Sequence, residues 1–161
     1  MPFLLLAQGH SIGIFIGGAS EAALATCPDS AELILTKRRG FVELALEHGA
    51  SLVPVYTFGD TVSLHVEPWD VLGVGSVFSK ACKRLTGIYM PSGMWPRRRM
   101  CACVTVVGKP IAVRKLGTGG ATKAAVDEAH ARYVAALKEL YKRHVGELGG
   151  PGAAREIHVV E

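Results

Sequence analysis

Apolar positions along this chain change their period several times, and each change marks the start of a new element. Ser11 to Ile16 is a short apolar run between Gly9 and the pair Gly17-Gly18, the pattern of a buried strand that feeds a tight turn. Cys27-Pro-Asp-Ser30 reads as a loop, and Glu32 to Thr36 as a short extended run ahead of the basic triplet Lys37-Arg38-Arg39. From Gly40 the period becomes helical. Phe41, Leu44, Ala45 and His48 recur at steps of one turn, and Gly49 stands where a left-handed C-terminal cap would lie. Ser51 to Phe58 predicts a second strand, rich in branched and aromatic residues, with Pro54 at a place where no ladder needs a backbone donor. Gly59-Asp60 closes it.

Between Thr61 and Arg99 the periodicity weakens; Val77 to Leu85 fits a helix, and the stretch from Pro91 to Pro96 fits a loop. Cys103 to Val107 and Ile111 to Val113 predict two short strands joined through Gly108-Lys-Pro110. Beyond a flexible linker, Gly117-Thr-Gly-Gly120, Thr122 can cap a long helix whose Val126, Ala129, Tyr133, Leu137 and Leu140 form one apolar stripe. Glu128 with Arg132, and Glu139 with Arg143, stand in the favourable i,i+4 order on its wet face. Gly149 to Gly152 ends the helix, and Glu156 to Val160 predicts a closing edge strand. Strands alternating with helices imply an α/β layered domain. No internal repeat divides residues 1–161, so one domain is expected.

Composition narrows the class. With 161 residues, 49% hydrophobic and 20% charged, the chain is neither disordered, collagen-like nor a disulfide scaffold. The longest apolar runs, Phe3 to Ala7 and Ile12 to Ala19, fall short of the ~20 residues a spanning helix needs. Four cysteines, Cys27, Cys82, Cys101 and Cys103, without a leader pattern at the start of the chain, point to a reducing, cytosol-facing environment. A net charge of +4 raises the question of an anionic partner: nucleic acid, a lipid headgroup surface or a phosphorylated coenzyme.

Three places in the sequence can carry chemistry. Glu21 follows the Gly17-Gly18 pair after a strand, where missing side chains let a ligand approach and a carboxylate can orient a hydroxyl; a solvated or capping glutamate is the plain alternative. Lys37-Arg38-Arg39 precedes a helix whose amino terminus is already positive, so an anion bridging the triplet and the helix start, such as a coenzyme phosphate, would relieve the repulsion. Side chains that extend into water are the alternative. Arg97-Arg98-Arg99 beside Met94 and Trp95 suits an anionic headgroup layer, or a solvated loop. The six histidines are scattered and Cys101-Ala-Cys103 lacks zinc or redox spacing, so no metal site is expected and the cysteines read as small buried residues. There is no Gly-x-Gly-x-x-Gly, no phosphate-loop Gly-Lys-Ser/Thr and no Gly-x-Ser-x-Gly elbow. Nucleic-acid binding rests on charge alone, with no binding motif behind it.

Read together, Ile14-Phe-Ile-Gly-Gly-Ala-Ser-Glu21, Lys37-Arg-Arg-Gly-Phe-Val-Glu-Leu-Ala-Leu46, His48-Gly-Ala-Ser-Leu-Val-Pro-Val-Tyr-Thr-Phe-Gly-Asp60 and Thr105-Val-Val-Gly-Lys-Pro-Ile111 resemble the type 2 diacylglycerol acyltransferase family. His130 and Tyr133 resemble its His-x-x-Tyr pattern. The family includes monoacylglycerol and wax-ester acyltransferases and belongs to the wider glycerolipid acyltransferase superfamily. The resemblance implies a layered sheet flanked by helices, of which this chain would be the carboxy-terminal half. It also implies transfer of a fatty acyl group from acyl-CoA to a lipid hydroxyl, usually that of diacylglycerol. The setting would be the cytosolic face of the endoplasmic reticulum or a lipid droplet. Acyl-CoA is then a co-substrate, and no further cofactor is implied.

The family's His-Pro-His-Gly motif, whose histidine is read as the general base, does not occur in this sequence. By the resemblance it would lie upstream of Met1, and the chain alone is expected to be inactive. Glu21 matches the glutamate of the family's Gly-Gly-x-x-Glu block, which the resemblance places beside the acceptor together with Gly17 and Gly18. Lys37, Arg38, Arg39 and Gly40 match its basic-Gly-Phe block, and Asp60 stands where glutamate is usual. From Met90 to Cys101 the chain is shorter than the family pattern, so no contact is carried over there. A rival reading is a non-catalytic lipid-surface or regulatory module that pairs with a full-length acyltransferase through an exposed sheet edge.

Overall fold

The protein is described by a computed structural model, and the described residues are 2–16, 31–59, 84–85, 103–149 and 156–160. They comprise helix α1 (Pro2–Ala7), strand β1 (Ala31–Ile34), helix α2 (Gly40–His48), strands β2 (Val55–Phe58) and β3 (Val104–Val107), helix α3 (Lys123–Leu148) and strand β4 (Ile157–Val160). The α/β class expected from the sequence is met. The strands form two pairs: β1 runs parallel to β4 with Ala31 opposite Ile157, and β2 antiparallel to β3 with Val55 opposite Val107.

Helix α3 packs between β2 and α2. Thr122 holds extended backbone (φ −70, ψ 150) and its Oγ1 accepts from the Ala125 N–H at 3.4 Å, the N-cap expected at that position. Its buried stripe is Val126, Ala129, Tyr133, Leu137 and Leu140, as the spacing predicts, widened by His130 and Tyr141. On one side Tyr141 meets β2: its ring stacks on Phe58 (5.4 Å, 21°) and lies edge-on to Tyr56 (4.9 Å, 80°). Because alternate strand residues share a face, Tyr56 and Phe58 both reach this helix and touch each other. On the other side α2 packs through Val42, Ala45 and Leu46 into the same core, joined by Leu35, Leu52 and Ile157. The i,i+4 pair Glu139–Arg143 forms as expected, at 2.6 Å. Arg132 instead donates to the Ala112 carbonyl at 3.3 Å, tying the helix to the preceding loop.

Several expectations are corrected. Ser11 to Ile16 is not a buried strand: no ladder reaches it among the described residues, and only Ile16 packs on the core while Phe15 is wholly exposed. An apolar run becomes a strand only when a neighbour takes its backbone groups. The run before it forms α1 instead, closed by a Schellman arrangement in which Gly9 (φ 82) donates to Leu6 and His10 to Leu5. In α2, Val42 is the fully buried residue, not Phe41, which is half-buried. Ile111 to Val113 is not a second strand of a hairpin; Ile111 makes one antiparallel bridge with Leu52 and so prolongs the β2–β3 pairing. Cys103 is exposed, not buried. The glycine-rich stretch 117–120 is tied down, since Leu116 donates to the Leu46 carbonyl and the Gly119 N–H to Glu47.

Two glycines are required by their surroundings. Gly49 (φ 70) is the left-handed cap of α2, with Gly49 and Ala50 both donating to the Ala45 carbonyl. Gly108 lets the end of β3 pass close to Pro54 and α3: its N–H donates to the Pro54 carbonyl at 2.8 Å, and a Cβ there would lie 2.8 Å from Pro54 Cγ and 3.1 Å from Leu140 Cδ1. We expect Gly108→Ala to destabilise the protein by ~1–3 kcal/mol in urea unfolding, through overpacking. Gly146→Ala, where a Cβ meets nothing within 4 Å, should act oppositely and stabilise α3 by ~0.5–1 kcal/mol.

Candidate functional site

The loop that follows β1 turns back onto the first half of α3, and the contacts made there gather the chemistry-bearing groups of the described chain. His130 is 8% exposed and its Nε2 lies 3.0 Å from the carbonyl oxygen of Leu35. A carbonyl only accepts, so the Nε2 carries the proton in the neutral ring. Three residues along the same face, Tyr133 meets Phe41 edge-on at 5.0 Å, and Phe41 also lies 6.3 Å from the His130 ring. Three residues back, Asp127 pairs with the guanidinium of Arg39. Arg39 Nε donates in addition to the Thr36 carbonyl at 3.3 Å. Asp127, His130 and Tyr133 thus present one row on α3 that receives residues 35–41.

The basic triplet divides accordingly. Lys37 and Arg38 are exposed, as is Gly40, the first residue of α2. Arg39 is the N-cap of α2, makes no side-chain cap bond, and spends its side chain on Thr36 and Asp127. The sequence reading looks for an anion to relieve three cations at a helix start. Asp127 supplies one such charge from within the chain, and Glu43 in the first turn of α2 supplies another. With the two side chains 37% and 43% exposed, water screens the Arg39–Asp127 pair and its net contribution is ~0.2–1 kcal/mol. Asp127 and the His130–Leu35 bond are what sequence reading did not single out, although Asp127, His130 and Tyr133 recur at three-residue steps.

Gly17, Gly18, Glu21 and Asp60 lie outside the described residues, as do the Cys27 to Ser30 and Pro91 to Pro96 loops, Arg97 to Arg99, and most of the predicted Val77 to Leu85 helix. Among the described residues no group of three or more His, Cys, Asp or Glu side chains could hold a metal ion, and no helix is long and apolar enough to cross a membrane.

The model of the family described as "Diacylglycerol acyltransferase" matches residues 4–153, and the chain belongs to that family. It is 34% identical over 152 residues to human acyl-CoA wax alcohol acyltransferase 1, covering 88% of this chain and 45% of that protein. It is 36% identical to human 2-acylglycerol O-acyltransferase 3 (90% of this chain, 45% of the relative). With diacylglycerol O-acyltransferase 2 of Dictyostelium discoideum the identity is 37% (84% of this chain, 43% of the relative). The chain therefore spans a little under half the length of these relatives. No solved structure matches it.

Burial pushes the phenols of Tyr133 and Tyr141 above their ordinary value. Well below pH 10 both phenols are neutral in the folded and unfolded chain alike. Above it the unfolded chain ionises first, so stability falls as pH rises through the raised folded values. We expect the melting temperature to drop as pH rises past about 10, and Tyr133→Phe to make that drop shallower. His130→Leu, which removes one of the two donors to the Leu35 carbonyl and leaves the Arg38 N–H in place, should cost ~0.5–1.5 kcal/mol in chemical unfolding.

Proposed function

We propose that this chain is the carboxy-terminal part of an acyltransferase that moves a fatty acyl group from acyl-CoA to a lipid hydroxyl, with diacylglycerol as the acceptor and triacylglycerol as the product. The observation that carries this reading is the match to three kinds of acyltransferase, named for wax alcohol, 2-acylglycerol and diacylglycerol, over most of the chain. What those names share is esterification of a lipid alcohol. In the reaction the acceptor oxygen attacks the thioester carbonyl, its proton passes to a base, the carbon–sulfur bond breaks, and the coenzyme thiolate leaves and is reprotonated.

Within this reading Glu21, next to Gly17 and Gly18, orients the acceptor hydroxyl. Lys37 and Arg38, with Arg39 and Gly40 at the start of α2, face the phosphates of acyl-CoA, and Asp60 is assigned with them to acceptor and acyl-CoA binding. His130 is assigned a packing role here, not that of the base, because it is buried on the face of α3 that receives Leu35 and Phe41. The base belongs to the His-Pro-His-Gly segment, which this sequence does not contain. The fold completed with that segment is the layered glycerolipid-acyltransferase sheet, and residues 1–161 are one part of that single domain. No cofactor beyond the co-substrate is called for. The working location is the cytosolic face of the endoplasmic reticulum membrane or a lipid droplet, where the acceptor resides.

A second reading has its own support. Val55 and Val107, opposite each other on the β2–β3 pair, are exposed along with Leu4, Leu5, Ile14 and Phe15, which suits a non-catalytic lipid-surface or regulatory module that pairs with a full-length acyltransferase.

The test compares the 161-residue chain with the same chain extended upstream through a His-Pro-His-Gly segment, using labelled oleoyl-CoA and diacylglycerol. The extended protein should form triacylglycerol at least ~100-fold faster than the chain alone, and Glu21→Ala should remove most of that gain. Triacylglycerol synthesis by the chain alone would overturn the assignment of the base, and silence of both forms would favour the module.

A further inference from the structure

We propose that Asp127 is a positioning residue for the acyl-CoA site: by holding Arg39 it fixes residues 36–40 against α3, so that Lys37 and Arg38 are the two cations left to meet the coenzyme's phosphates. This rests on the acyl-CoA reading above and adds a residue and a division of labour to it.

Three contacts anchor this short stretch at successive points. The Leu35 carbonyl is held by His130, the Arg39 side chain by Asp127, and the Phe41 ring by Tyr133 and His130. All the α3 partners sit on one face of a helix that is capped at Thr122 and packed along its length, so the stretch has a rigid support on one side. The Arg38 N–H donates to the Leu35 carbonyl at 3.0 Å, and the Val42 and Glu43 N–H groups donate to the Arg39 carbonyl. The turn is therefore closed through backbone bonds at both ends, and the Arg39–Asp127 pair is its side-chain tie near the middle. Lys37 and Arg38 project from it into water.

The chemistry of the three cations differs as a result. Arg39 has a carboxylate partner at one terminal nitrogen and a carbonyl partner at Nε, so part of its fork is already engaged. An incoming phosphate competes with Asp127 for Arg39 but gains Lys37 and Arg38 directly. Positioning and plain electrostatics make opposite forecasts when the Asp127 charge is removed. Coulomb attraction alone predicts tighter phosphate binding, because one negative charge near the cations has gone. Positioning predicts weaker binding, because the turn that presents Lys37 and Arg38 has lost its tie.

The experiment titrates CoA into the full 161-residue chain by calorimetry at low salt, with Asp127→Asn, Asp127→Glu and the double variant Lys37→Gln/Arg38→Gln alongside. Thermal unfolding of each variant and hydrogen exchange at amides 36–40 are measured on the same samples. Asp127→Asn should weaken CoA binding about three- to tenfold and speed exchange at those amides, with Asp127→Glu restoring most of the affinity. The double variant should abolish measurable binding. Unchanged or tighter binding in Asp127→Asn, or exchange unaltered at 36–40, overturns the positioning role while leaving the phosphate site in place if the double variant still loses CoA. Absence of CoA binding by the unsubstituted chain overturns the coenzyme reading of this loop, and the positioning role with it.

Discussion

One buried face of α3 is the constraint on which the described fold depends. Its carboxy-terminal half offers Tyr141 to the aromatic pair of β2, and its amino-terminal half offers Asp127, His130 and Tyr133 to the loop and helix that follow β1. Neither two-stranded pair is large enough to be stable by itself. Each gains its apolar burial by being laid against the same helix or the core it organises. The polar contacts then set direction more than stability, because the Arg39–Asp127 pair is partly in water and the Leu35 carbonyl that His130 meets also accepts from the Arg38 N–H.

This arrangement also explains how separate sequence blocks come to act together. The block from His48 to Asp60 and the block from Thr105 to Ile111 are the two sides of one ladder, from the Leu52–Ile111 bridge to the Phe58–Val104 pair. Thr57 and Thr105 join across it through their hydroxyls at 3.0 Å. The Lys37 to Leu46 block is set on the row that contains His130 and Tyr133. Family membership and packing thus point to the same segments, and the basic loop is held between them as a side-chain-bearing turn on a rigid support.

The long helix, its cap and its apolar stripe were legible because a strict period over 26 residues leaves few alternatives. Gly49 was legible for a related reason: few residues tolerate its backbone angle. The Ser11 to Ile16 run departs from its pattern because an apolar hexamer announces burial without naming the neighbour that provides it. Asp127 escaped notice because, seen in sequence, it is one more carboxylate on the polar side of a helix stripe. Its partner lies 88 residues earlier by the numbering of the pair, and only packing brings the two together. The family blocks were readable as words in order, whereas the division of the Lys37-Arg38-Arg39 triplet into one inward and two outward cations depends on where α3 runs.

The parallel pairing of β1 with β4 has a consequence for the order of events during synthesis. Ala31 must wait for Ile157, so the first described strand leaves the ribosome long before its mate is translated. Contacts this distant in sequence close slowly, because loop entropy is lost before the pairing rewards it. During that interval the local units, the capped α2 and the β2–β3 ladder, can form, whereas β1 keeps an open edge that invites association with other chains. The nascent protein therefore passes through a stage in which these local units are in place and the edge of β1 is still waiting for β4.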